Sequence, residues 1–163
     1  MFVDEARFGR MNRIRPCWAP VGTRPEVAAQ LIREYIYLYG AVSPKDGTCV
    51  YLIMACFQAF LDVLARRFAR QDVLLVLDGA PNHRCGDLAV PSNITLLYLP
   101  PYSPELNPKE NIWDEIREKI FKNYALKSMD AVRAKLKQAI LYIERNPGLV
   151  RSITSFPYII NSL

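Results

Sequence analysis

The chain has a single histidine, His83, and only four cysteines, Cys17, Cys49, Cys56 and Cys85, which stand far apart with no Cys-x-x-Cys pair. That scarcity excludes an ordinary zinc site, which needs clustered Cys and His ligands. It leaves free, reduced thiols as the plain reading. A metal bound here must therefore be held by oxygen. No uninterrupted apolar run approaches the ~18 residues of a membrane span, and no signal-peptide pattern follows Met1. Internal repeats and low-complexity stretches are also missing. A soluble, cytoplasmic protein is expected.

What is present is 163 residues, 51% of them hydrophobic, which suffices for one domain with a proper core. The formal net charge is +5. Residues 6–25 hold Arg7, Arg10, Arg13, Arg15 and Arg24 and no acid. A local arginine patch suits phosphate contacts, although arginines scattered on a solvated loop would give the same pattern.

Met1–Phe8 has the character of a strand end, with Asp4 and Glu5 in its second half. Only three residues precede Asp4, short against the usual strand of about 5–6. The chain is therefore expected to begin inside a larger parent. Gly9–Arg33 is irregular, Pro25–Arg33 fits a short helix with Pro at its first position, and Trp18 is the expected anchor. Glu34–Val42 and Thr48–Phe57, joined by turn residues Ser43–Gly47, predict an antiparallel hairpin. Gln58–Arg70 carries Phe60, Leu61, Leu64 and Phe68 at helical spacing.

Asp72–Asp78, DVLLVLD, is apolar on both faces, which predicts a strand covered on both sides beside a parallel neighbour. A short helix or loop in Gly79–Pro91 and a buried strand at Asn93–Leu99 follow. Asn107 to about Tyr124 predicts a helix with the stripe Ile112, Trp113, Ile116, Ile120 and Phe121. Ser128 caps the next, striped by Val132, Leu136, Ala139, Ile140 and Ile143 and stopped by Asn146-Pro147-Gly148. The tail SFPYIINSL is apolar enough to pack on the body or on a second subunit. An antiparallel trio followed by alternating helix and strand is the ribonuclease-H-like α/β layout, a mixed five-stranded sheet with helices on both faces. It sets the first and fourth strands side by side, so that Asp4 and Asp78 become neighbours.

Asp78 closes an apolar strand at its C-terminal end, where open α/β sheets place ligands. An unpaired buried charge has no stabilising purpose there, though Asp-Gly-Ala-Pro is also an ordinary turn. Asp4 is rivalled by Glu5, which strand alternation directs to the opposite face. Glu110, taken alone, fits a capping box with Asn107 at the cap and Pro108 at the first helical position. Asp114, one turn on, and Glu105, in the loop, are its rivals as ligands. The combination changes the balance. Three carboxylates on a first strand, at the end of a fourth and after a fifth can converge, and convergent like charges need cations. Oxygen ligands without His or Cys point to Mg²⁺ or Mn²⁺. A pair of such ions about 3.5–4 Å apart drives in-line displacement at a phosphodiester.

The strings VDEARFG, WAPVGTRP, LVLDGAPNH and LPPYSPELNPKENIW occur in this order. Together they resemble the catalytic domain of DDE transposases of the bacterial insertion-sequence six-thirty family, relatives of the Tc/mariner superfamily. The resemblance runs from Phe2 to about Tyr142, and thirty-one residues lie between Asp78 and Glu110, close to the family's thirty-odd spacing. It implies that Asp4, Asp78 and Glu110 form the catalytic, metal-binding triad, in preference to Glu5 and Asp114. It implies two Mg²⁺ or Mn²⁺ ions, cleavage of DNA at transposon ends and strand transfer by the freed 3′ hydroxyl. Transposon and target DNA are the expected partners, bound by a homodimer or larger assembly, nucleoid-associated in a bacterium. Arg7, Arg10, Arg13, Arg15 and His83 are the expected DNA contacts, His83 matching a histidine that often follows the second aspartate. The family's N-terminal helix-turn-helix region has no counterpart before Asp4, so residues 1–163 are expected to be one catalytic domain alone. The rival readings are a noncatalytic transposase remnant that binds DNA or dimerises, and a ribonuclease-H-like nuclease of other biology, such as a resolvase.

Overall fold

The computed structural model describes residues 1–12, 14–53, 56–83 and 88–161. Strands β1 (Phe2–Met11), β2 (Leu31–Val42), β3 (Cys49–Ile53), β4 (Val73–Leu77) and β5 (Ile94–Tyr98) form one sheet in the order β3-β2-β1-β4-β5. β1 to β3 are antiparallel, whereas β4 runs parallel to β1 and to β5. This is the expected mixed ribonuclease-H-like sheet, with the first and fourth strands adjacent.

Two-residue alternation sends the side chains of β1 to opposite layers. Val3 joins Tyr39, Leu75 and Leu77 beneath helix α1 (Phe57–Arg67), which contributes Phe57, Phe60, Leu61 and Leu64. Ala6 and Phe8 join Leu38 and Val42 beneath α2 (Lys109–Ile116) and α3 (Met129–Glu144). Ser128 caps α3 as expected, its hydroxyl accepting from the Ala131 amide at 3.1 Å. The hairpin turn closes through Gly47, at φ +77°, where an added Cβ would come 2.5 Å from the Pro147 carbonyl oxygen.

Several expectations are corrected. β1 is ten residues long, because it continues past Phe8 to Met11 and pairs with β2 along that length. Its pairing with β4 is brief, through Phe2 opposite Val76 and the Val76 amide bonding to the Met1 carbonyl at 2.8 Å. Pro25–Arg33 forms no helix. Ala28 and Gln30 bond to Asn12, and Leu31 already belongs to β2, so this stretch is drawn into pairing with the far end of β1. Trp18 anchors nothing and is fully exposed. β4 is covered on one face only, since Val73, Leu75 and Leu77 are buried while Leu74 is half exposed. The helix expected over Asn107–Tyr124 begins at Lys109 and widens to π geometry over Arg117–Phe121. Pro147 starts a further helix, α4 (Pro147–Thr154), instead of only ending α3. The tail forms α5 (Pro157–Ile160), which buries Ile159.

Candidate active site

Asp4 lies on β1 directly across from Gly40 of β2, which is itself opposite Tyr51 of β3, so the three share the sheet face under α2. Glu5 belongs to the other layer, across from Tyr39 of β2; burial first, and the Glu5 carboxylate second, raise the Tyr39 hydroxyl above its ordinary range. Both oxygens of Asp4 are engaged. Oδ1 accepts from the Glu5 amide at 2.8 Å, and Oδ2 from the indole Nε1–H of Trp113 at 2.9 Å. Burial, then Glu110 and more weakly Asp78, push its carboxyl up to about 7, against the pull of those two hydrogen bonds.

Asp78 follows the end of β4, and its side chain is 54% exposed. Its Oδ1 accepts from the Ala80 amide at 3.2 Å and from His83 Nδ1 at 2.7 Å. A carboxylate can only accept, so Nδ1 carries the proton. His83 is buried, its ring 4.5 Å from that of Phe57, and its carbonyl accepts from the Tyr98 hydroxyl at 2.7 Å. This histidine thus supports Asp78, and it offers little surface of its own to DNA, its side chain being 1% exposed.

Glu110 sits in the first turn of α2. The capping box is half made: Asn107 Oδ1 accepts from the Lys109 amide at 3.1 Å, but the Asn107 amide bonds to the Pro104 carbonyl at 2.9 Å and leaves nothing for Glu110 to satisfy. Asn107 instead ties the junction to β1, its Nδ2 donating to the Val3 carbonyl at 3.1 Å, one residue before Asp4. Asp4, Asp78 and Glu110 line one cavity of about 470 Å³ with Asn107 and the proline loop. Asp114 lies outside it and pairs with Arg117 at 3.5 Å, and Glu105 is exposed and also outside.

Among the described residues, no three His, Cys, Asp or Glu side chains are set to cage a metal ion together. Carboxylates without a counter-ion repel one another, and Mg²⁺ in any case is usually bound through one or two carboxylates, with waters and substrate phosphate oxygens completing its shell. The donor chemistry fits such an ion: hard carboxylate oxygens around one opening.

A second cleft of about 630 Å³ continues from Asp4 and Asp78 past Arg7, Arg15, Arg117 and Lys122. Of the arginines expected to meet DNA, Arg7 lies 5.3 Å from the Tyr35 ring centroid and Arg15 pairs with Glu118 at 3.4 Å. Arg10 is spent within the protein, bonding to the Leu126 carbonyl at 3.0 Å and Glu34 at 2.9 Å. Arg13 lies outside the described residues.

Residues 1–133 match the family described as DDE superfamily endonuclease. The chain belongs to that family. A relative, the uncharacterized protein y4pE/y4sA of Sinorhizobium fredii (strain NBRC 101917 / NGR234), is 38% identical over 104 residues, 60% of this chain and 77% of the relative. The fold resembles that of Mos1 transposase in its paired-end complex with the left transposon end, with TM-score 0.59 and 16% identity over 94% of this chain. It also resembles the Mos1 mariner paired-end complex with Mn, at TM-score 0.61 and 16% identity over 94% of the chain. The pre-cleavage Mos1 transpososome matches over 99% at TM-score 0.61 and 15% identity. The chain spans about half the length of these Mos1 chains, 54%, 53% and 54% in turn.

In this DDE endonuclease domain the sequence reading missed Trp113 and Asn107 as supports of Asp4, and Arg117 and Lys122 as members of the basic cleft. It also missed Lys109, which is fully buried although charged. Its ammonium lies 4.0 Å from the Tyr51 ring centroid and 4.3 Å from that of Trp113, and its Nζ has no hydrogen-bond partner among the described residues. Burial pushes it down to about 8, opposed by Cys49 and Asp4. The signal was available: positions 109, 112, 113 and 116 are one helical stripe, and a lysine on it faces the core.

Proposed function

We propose that this chain is the catalytic domain of a Tc/mariner-type transposase of the insertion-sequence six-thirty family. In this reading it cleaves DNA at transposon ends and joins the freed 3′ hydroxyl to a target, using Mg²⁺ or Mn²⁺. Asp4, Asp78 and Glu110 hold the ions. The observation that supports it most is that the three carboxylates line one cavity, in which Asp4 is pushed up to about 7 by burial first, then by Glu110 and more weakly by Asp78. A buried carboxylate in that state gains by meeting a divalent cation.

Two ions bound there would activate the attacking water or 3′ hydroxyl and stabilise the leaving oxygen. The protein's own residues do the rest. Trp113 and the Glu5 amide fix Asp4, and His83 fixes Asp78. The first turn of α2, riveted to β1 by Asn107, carries Glu110. Arg7, Arg15, Arg117 and Lys122 line the path a phosphate backbone would follow. Assembly into a dimer on paired ends belongs to the same proposal.

The test is nicking of supercoiled plasmid with Mn²⁺ or Mg²⁺. Wild type should nick, Asp78→Asn should not, and chelation should stop the reaction. The second reading, a remnant that binds DNA without cutting it, draws on the lack of a ready three-carboxylate cage among the described residues. It predicts DNA binding with no metal-dependent nicking in either protein.

A further inference from the structure

Lys109 is an anomaly for core packing. A buried ammonium without a hydrogen-bond partner is costly, and a methionine of similar length would fill the same space. What the lysine has instead is a cage. The faces of Tyr51 and Trp113 lie 4.0 and 4.3 Å from its nitrogen, within cation–π range. The floor of the cage is Gly40, where an added Cβ would come 2.5 Å from Lys109 Cε, 2.6 Å from Nζ and 2.9 Å from the Trp113 ring. Gly40 and Tyr51 belong to the cross-sheet row that ends in Asp4. Trp113, one helical turn after Lys109, presents its indole N–H to Asp4 Oδ2 at 2.9 Å.

We propose that Lys109 is a positioning residue for Asp4: caged between Tyr51 and Trp113 over Gly40, it fixes the indole whose N–H orients the Asp4 carboxylate for a divalent cation. The part concerning the cation rests on the reading of Asp4 as a metal ligand. The part concerning the indole does not. Lys109 acts through Trp113 and does not touch the reacting atoms.

The experiment is ¹⁵N NMR of the two indoles in the metal-free full chain, with the exposed Trp18 as internal reference. In wild type the Trp113 indole proton should be shifted by its carboxylate acceptor and protected from solvent exchange. Lys109→Met, which keeps the volume and removes the charge, should speed that exchange by about tenfold or more while the spectrum stays dispersed. Removing a positive charge would by itself favour cation binding, so the metal arm uses Gly40→Ala, which keeps the ammonium but occupies its space. Gly40→Ala should loosen the same indole and weaken Mn²⁺ binding, followed by calorimetry, about tenfold. It also carries the indole test if Lys109→Met does not fold. Variants that lose melting temperature but leave the Trp113 indole shift and exchange unchanged would overturn the proposal and make Lys109 a core filler. A wild type that binds no Mn²⁺ would remove the metal reading, and the indole exchange would then decide for or against positioning by itself.

Discussion

Trp113 and Asp4, 109 positions apart in the chain, meet through a 2.9 Å hydrogen bond from the indole nitrogen to a carboxylate oxygen. The contact joins β1 to α2, the two elements that carry the outer members of the carboxylate trio. It also explains how Asp4 is held facing α2 when burial and two neighbouring acids oppose its charge. Trp113→Phe keeps an aromatic body against Phe8 and Tyr51 but removes the donor. It should lower Mn²⁺ affinity about tenfold in a calorimetric titration.

Asp4 also predicts a pH dependence. Its folded value, about 7, lies above the ordinary carboxylate value of 3.8, so between those values the native state binds more protons than the unfolded chain. Stability of the metal-free protein should therefore fall as pH rises from about 4 to about 7. Millimolar Mn²⁺ should raise the melting temperature most at the upper end, where the carboxylate is ionised, and binding at pH 6 should release a proton. Melting curves at pH 5 and pH 8, with and without Mn²⁺, check the sign.

His83 supports Asp78 from a buried position against Phe57. His83→Ala should cost about 1–3 kcal/mol of stability, from the lost ring contact and hydrogen bond. It should also reduce nicking at saturating DNA far more than it weakens DNA binding, because the ring, only 1% exposed, acts mainly through Asp78. Gel shifts beside a single-turnover assay separate the two effects.

Asn107 is buried and bonds to both β1 and the start of α2. Asn107→Ala leaves the Val3 carbonyl and the Lys109 amide unpaired, which should destabilise the protein by about 1–3 kcal/mol in denaturant unfolding.

The sheet was legible because its strands are strongly apolar and separated by turn residues; β4 and β5 differ from the expected runs by only a residue or two at each end. The far end of β1 and the start of β2 were not, because Asn12 and Gln30 pair through hydrogen bonds that leave no hydrophobic period to read. Chain order suggests that carboxylates of β1, the end of β4 and the start of α2 converge, but the choice of Asp4 over Glu5 and of Glu110 over Asp114 comes from the family resemblance. The supports of these carboxylates were not legible, since a tryptophan in an apolar stripe reads as core, and Arg117 and Lys122 read as a solvated helix face. Lys109 shares the helical stripe of Ile112, Trp113 and Ile116, but its place beside a helix cap, where lysines are usually solvated, masks that signal.

Arg117 and Lys122 should contribute non-specific phosphate contacts. Replacing either by alanine should weaken DNA binding uniformly across sequences and reduce the slope of log affinity against log salt by about 1. Fluorescence anisotropy with unrelated duplexes at several salt concentrations reads that slope.

The most direct measurement is anomalous diffraction from crystals soaked in Mn²⁺. Manganese peaks in the cavity lined by Asp4, Asp78 and Glu110, each about 2.0–2.6 Å from oxygens of at least two of these carboxylates, are the predicted result. A fully soaked crystal with no manganese in that cavity, and the three carboxylates still unable to share an ion, would contradict the assignment of these residues as the metal-binding site.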